Sequence, residues 1–164
     1  MDPRPGEIMF GLNLIVNRGK TIFLCDTSVI EYPDAKQLAE MAKSAARVVR
    51  LFGFDPKIAF LSHSTFGEPA TDRTKRLSDA VEILKKDNVD FKFDGEMQPD
   101  VALEEVYKEL YPFSEIVGSS NVLIMPSQHS AAISYKMIKS MSRAKVIGPL
   151  LVGLGQPIEI APLR

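Results

Sequence analysis

The 164-residue sequence has one cysteine, two histidines and no tryptophan. A lone Cys25 cannot close an internal disulfide, and His63 and His129 with one thiol offer no zinc-ligand spacing. No apolar run approaches the ~20 residues that span a bilayer. The first residues, Met1–Gly6, contain two prolines and lead into no apolar signal segment. An excess of one charge is missing too: 20 Lys and Arg stand against 21 Asp and Glu, for a formal net charge of −1. With the two signs interspersed, nothing argues for a nucleic-acid or membrane-surface partner. Internal repeats and low-complexity stretches are absent. These absences lead us to expect a cytoplasmic protein in a reducing setting. What remains is 45% hydrophobic and 25% charged, ordinary for a globular domain with a core of its own or for a piece of something larger.

What is present is an alternation of short apolar runs with helical periodicity. Leu12–Val16 and Thr21–Cys25, separated by Asn17–Lys20, read as a β-hairpin. From Pro33-Asp34 to Gly53, residues Leu38, Met41, Ala42, Ala45, Val48, Val49 and Phe52 recur at steps of three and four, which predicts a helix with proline in its first position and glycine past its end. Further on, the pattern predicts strands at Ile58–Leu61, across Val89, Phe91 and Phe93, at Val122–Met125 and at Ala144–Ile147. It predicts helices over Thr71–Lys86, Pro99–Leu110 (Val101, Val106 and Leu110 inward) and Ser127–Met141 (carrying Ile133, Met137, Ile138 and Met141). Strands alternating with such helices imply crossover connections, hence an α/β domain with a mainly parallel sheet and helices on both faces. Gln156–Arg164 has no helix to close on, and the chain reads as unfinished there.

Parallel strands deliver their carboxyl ends to one edge, where α/β folds hold ligands. Four segments should meet there: Ser62–Gly67, Asp94–Gln98, Pro126–His129 and Gly148-Pro149. The first continues the run Ile58–Leu61 into Ser62, His63, Ser64, Thr65, Phe66 and Gly67. Hydroxyls, a glycine and helix amino-termini together suit an anion, and a phosphate-bearing ligand is the first expectation. None of these loops matches a P-loop or a dinucleotide fingerprint. Each also has a plainer reading. Ser62–Gly67 reads equally as a polar turn before a helix. Asp94 and Glu96 read as solvated carboxylates of a glycine turn before they read as an acid–base pair. The histidines read as hydrogen-bonded loop residues, Cys25 as packed, Ser127 as a helix cap, and Lys136, Lys139, Arg143 and Lys145 as a solvated face.

Taken in order, several segments resemble the phosphate acetyl/butyryltransferases (phosphotransacetylases). They are Phe23–Thr27, Pro33–Glu40, Leu61–Gly67, Asp94–Met97, Asn121–Pro126, Ile133–Lys136 and Ile147–Gly153. The resemblance extends from about Phe10 to Ile160. Within the family it is closer to the phosphotransacetylase-like carboxyl-terminal region of bacterial NADP-dependent malic enzymes, through Met1–Gly6, Phe10–Asn13, Leu61–Ser64 and Asp94–Met97. The resemblance implies an isocitrate/isopropylmalate dehydrogenase-like architecture, a fragment of a longer protein, and pairing into homodimers. By that reading residues 1–30 join a missing upstream subdomain, 31–150 form the phosphotransacetylase-like domain and 151–164 return to close it.

For function, the resemblance implies a coenzyme A cleft at the sheet edge, with acetyl-CoA as ligand. Ser62, Ser64, Thr65, Gly67, Lys136, Gly148 and Pro149 would line it. NADP and a divalent metal (Mg or Mn) would belong to a malic catalytic domain upstream. The family carries Asp-Leu-Ser-Arg-Gly after its Gly-Pro segment, its serine and arginine serving catalysis. Here Pro162 and Leu163 stand at those two positions, Ala132 replaces an asparagine, and Glu68 replaces a serine. Proline has no hydroxyl and leucine cannot stabilise an oxyanion. The expectation is therefore a domain that binds acetyl-CoA without turning it over, with Arg164 partly replacing the lost arginine. An active acyltransferase and a purely structural dimerisation module are the alternatives.

Overall fold

The computed structural model describes residues 6–154 and the backbone of 158–159. The amino-terminal tail to Pro5 and the positions of Pro162, Leu163 and Arg164 lie outside the described residues. The hairpin forms as expected, from β1 (Phe10–Asn17) and β2 (Lys20–Cys25). Helix α1 (Ala35–Leu51) is capped by Asp34, which accepts from the amide of Gln37 while the Gln37 side chain accepts from the amide of Asp34. This capping box moves the start one residue beyond the expected one and leaves Pro33 outside the helix. Strand β3 (Lys57–Leu61) and helix α2 (Asp72–Lys86), capped by Thr71, fall where expected. So do β5 (Val122–Ile124) and α4 (Gln128–Met141), capped by Ser127.

Three elements depart from expectation. Val89, Phe91 and Phe93 do pack against the core, yet strand β4 runs later, over Lys92–Met97. Asp94, Gly95 and Glu96 are thus strand residues, not an edge loop. The helix foreseen over Pro99–Leu110 stops as α3 (Pro99–Leu103), followed by a 3-10 turn at Glu105–Lys108. Its carbonyls explain why: Val101 and Ala102 accept from the amides of Gly118 and Ser120 instead of continuing the helical ladder. Val106 and Leu110, expected inward, are consequently 74% and 65% exposed. Finally, β6 runs over Lys145–Val152 straight through Gly148-Pro149. Leu12 pairs with Leu150 and Leu14 with Ile147, so two residues of β6 oppose Asn13 alone. Proline, which has no N–H for the ladder, is tolerated at such a bulge.

The sheet has seven strands in the order β4-β3-β5-β2-β1-β6-β7, with β7 at Ile158–Glu159. β4, β3, β5 and β2 are parallel neighbours, while β1 is antiparallel to both β2 and β6, and β6 to β7. Five strands therefore share one direction, which is the mainly parallel α/β sheet expected. α1 and α2 cover one face over a core containing Phe23, Met41, Phe60 and Leu84. α3, the segment after it and α4 cover the other, over Leu24, Met97, Ile116 and Leu123. Across the sheet Cys25 is level with Ile124, Ile124 with Phe60, and Phe60 with Gly95. The chain leaves four parallel strands at one height, and the loops that follow β2, β3 and β5 meet there.

Candidate ligand cleft

The hydroxyl loop after β3 is built around a buried carboxylate. Phe60 pairs with Gly95 and Leu61 with Met97, so Glu96 is the extra residue of a bulge, a device that re-aims a side chain. A Cβ at Gly95 would come within 2.8 Å of the Phe60 Cβ, at a φ of +149°, so no larger residue fits beside the bulge. Glu96, 1% exposed, accepts through Oε1 from the Ser64 hydroxyl (2.9 Å) and the Gly67 amide (2.7 Å), and through Oε2 from the Ser78 hydroxyl of α2 (2.7 Å). The Phe66 amide donates to the Glu96 carbonyl, and the Gln98 amide to Thr65 Oγ1. The Glu96 carboxylate is thus a structural tether, and the reading of a solvated turn carboxylate is corrected.

Beside this loop lies a cleft of about 420 Å³. Ser62 and His63 line it from the loop after β3, Arg73 and Arg76 from α2, and Ser127, Ser130 and Ser134 from the cap and body of α4. Arg76 is held on three sides: it donates to the carbonyls of Pro33 and Pro126, and its guanidinium carbon lies 3.7 Å over the Tyr32 ring. Among the described residues its Nε has no hydrogen-bond partner. Burial lowers the Arg76 pKa from its ordinary value, with Tyr32 and Asp34 acting the other way. Among the described residues no carboxylate forms an ion pair with Arg73 or Arg76. Two uncompensated guanidinium groups, three serines and the amino-terminus of a 14-residue helix face one cleft. Such a set favours an anion with several acceptor oxygens.

Of the site residues read from sequence, Ser62 lines this cleft. Ser64, Thr65 and Gly67 lie in the adjoining loop, with the Ser64 hydroxyl and Gly67 amide committed to Glu96 and Thr65 Oγ1 to Gln98. Lys136 is exposed on α4 and is not part of the cleft wall. Gly148 and Pro149 sit in β6, three strands from β5, or about 14 Å at ordinary strand spacing. A Cβ at Gly148 would stand 2.7 Å from the Leu12 carbonyl oxygen, so this glycine serves the passage of the bulge. His63 and His129 are exposed and their rings make no hydrogen bond among the described residues. Cys25 is fully buried, its thiol pKa raised by burial and by Asp26. Asp26 accepts from the amides of Gly11, Ser28, Val29 and Ile30, closing the turn after β2. Sequence reading missed Arg73 and Arg76. Their spacing of three, in the first turns of the helix that follows a hydroxyl loop, was the available signal.

Among the described residues no group of three His, Cys, Asp or Glu side chains is placed to hold a metal ion, and no helix is long and apolar enough to cross a membrane. Similarity to known proteins accords with this architecture. Residues 2–162 match the family model described as phosphate acetyl/butaryl transferase. The chain is 44% identical to an NADP-dependent malic enzyme of Rhizobium meliloti, over 99% of the chain and 21% of that protein. It is 41% identical to a phosphate acetyltransferase of Treponema pallidum, over 87% of the chain and 43% of that protein. A phosphotransacetylase from Streptococcus pyogenes superposes with a TM-score of 0.89 at 32% identity, covering 95% of this chain and 49% of that one. The chain thus spans a fifth of the malic enzyme and under half of the transferases. By the length of the match and by its fold, the chain belongs to the phosphate acetyl/butaryl transferase family.

Proposed function

We propose that this chain is the phosphotransacetylase-like part of an NADP-dependent malic enzyme, and that it binds acetyl-CoA and assembles subunits without transferring an acyl group. The observation that carries the reading is a retained anion cleft in a chain whose matching catalytic positions are Pro162 and Leu163. Arg73, Arg76 and the serines at the head of α4 would hold the ligand's phosphates. Bound acetyl-CoA would then bias the enzyme toward the state that binds it better. NADP and the divalent metal would be held outside these residues, and the whole protein would oxidatively decarboxylate malate to pyruvate. No step of that reaction is assigned to the side chains described above.

Isothermal titration tests the binding. Acetyl-CoA should give saturable heat, weakened roughly tenfold by Arg73→Ala, as expected when a charge-assisted contact is lost. Malate oxidation by the whole protein should change over the same ligand concentrations. Absence of heat at millimolar acetyl-CoA would overturn the sensing role and leave a structural module. A second reading, an active phosphate acyltransferase, is favoured by the 41% identity to a phosphate acetyltransferase. Conversion of acetyl phosphate and CoA to acetyl-CoA by the whole protein, at rates of true transferases, would establish it instead.

A further inference from the structure

Among the described residues four aromatic side chains are exposed: Tyr32, Phe52, Phe54 and Phe113. Three of them pack against other aromatic rings, Phe52 and Phe54 against Phe23, and Phe113 against Phe66 and Tyr111. Tyr32 differs in both neighbour and place. It is 57% exposed, it lines the cleft that holds Arg73 and Arg76, and the group over its ring is a cation, the Arg76 guanidinium at 3.7 Å. With one face under Arg76, the exposure of Tyr32 belongs to the other face and the ring edge.

The loop that carries Tyr32 is tied down on both sides of it. Asp26 accepts from the amides of Ser28, Val29 and Ile30. The Glu31 carbonyl accepts from the Gln128 amide at the head of α4 (3.1 Å), and the Pro33 carbonyl accepts from Arg76. Arg76 is held in turn by the Pro126 carbonyl. The ring and the guanidinium behind it are therefore fixed before a ligand arrives, which lowers the ordering cost of binding. A tyrosine so placed offers a large, rigid face with few torsions to freeze, and any nucleobase can stack on such a face. In the same cleft stand the charges and hydroxyls that suit phosphate: Arg73, Ser127, Ser130 and Ser134. An aromatic face beside a phosphate-binding set is the pair of features a nucleotide requires.

We propose that Tyr32, backed by Arg76, is a stacking platform for the base of a nucleotide ligand whose phosphates are held by Arg73 and the α4 serines. The inference rests on the proposed function for the identity of the base, adenine, and adds that the ligand is gripped by its nucleotide end. Isothermal titration of this chain with ADP and with inorganic pyrophosphate tests it, since both carry a diphosphate and only ADP carries a base. Both should bind. Tyr32→Ala should weaken ADP roughly five- to hundredfold, the range for losing one base–aromatic stack. Pyrophosphate should bind that variant as before, because Arg76 keeps both of its carbonyls. Tyr32→Phe keeps the ring and should bind ADP as the unaltered chain does. Tyr32→Ala binding ADP unchanged, or losing ADP and pyrophosphate alike, would overturn the proposal, as would Tyr32→Phe losing ADP. An unaltered chain that takes pyrophosphate and not ADP would overturn it too. The expected ADP pattern without heat from acetyl-CoA would uphold the platform and end the sensing role; acetyl-CoA bound equally well by Tyr32→Ala would keep the sensing role and end the platform.

Discussion

On one face of the sheet α1 buries eight residues, from Leu38 to Val49, while on the other α4 buries Ala131 alone. Both helices carry apolar residues at helical spacing, so periodicity does not distinguish them. What differs is the partner. α1 packs on the sheet beside α2, and its apolar stripe is buried within the chain. α4 sits at the side of its face, touching β2 and β6, and turns Ile133, Met137 and Met141 outward. An apolar stripe left in water on a helix is the kind of surface on which contact sites are built.

Cutting a buried methionine on one face and an exposed one on the other puts the largest expected effect on that difference. Met41, fully buried on α1, should cost about 2–5 kcal/mol when replaced by alanine, the range for cavity-forming core substitutions. Met137→Ala, at a half-exposed position on α4, should stay within ~0.5 kcal/mol. Urea unfolding of the two variants reads both. Equal costs for the two changes would erase the contrast between the faces.

The tether at Glu96 belongs to the well-packed side, through Ser78 of α2. Replacing it by alanine leaves the Ser64 and Ser78 hydroxyls and the Gly67 amide without their acceptor, and the expected loss is about 2–4 kcal/mol. Glu96→Gln should recover at least half of it, since an amide oxygen can still accept from Ser64 and Gly67 while its nitrogen donates to Ser78. Thermal unfolding of the two variants decides. A glutamine variant as unstable as the alanine one would show that the charge, rather than the hydrogen-bond geometry, holds the loop.

Legibility in the sequence follows how local the cause is. The β1–β2 hairpin and α1 were readable because their turn, cap and stripe lie within a few residues of each other. The site loop after β3 was readable as polar and edge-bound, but not the fate of Ser64 and Gly67, whose shared partner Glu96 lies 32 and 29 residues away. The same distance hid β4: its bulge at Glu96 is set by β3, while Val89 and Phe91 imitate a strand by packing on a core they only border. The early end of α3 was invisible for a like reason, because Gly118 and Ser120 take the carbonyls a longer helix would use. Gly148-Pro149 read as a loop since proline rarely sits in a strand, and only pairing with β1 reveals the bulge that admits it.

The smallest expected effect separates a cap that only starts a helix from one that also faces the cleft. Asp34 caps α1 and lines none of the cleft, so Asp34→Ala should cost about 1 kcal/mol of stability and, by removing a negative charge that acts on Arg76, leave acetyl-CoA binding no weaker. Ser127 accepts from the Ser130 amide at 3.3 Å, a long bond on a helix with little burial, so Ser127→Ala should cost less than Asp34→Ala in unfolding. Ser127 also lines the cleft with Arg76, however, and the same change should weaken acetyl-CoA roughly tenfold or more, the usual scale for losing one hydrogen bond to a charged group. Titration and urea unfolding on the same two variants give four numbers. If both substitutions moved stability alone, the head of α4 would be a helix start like that of α1, and the anion would have to be held elsewhere.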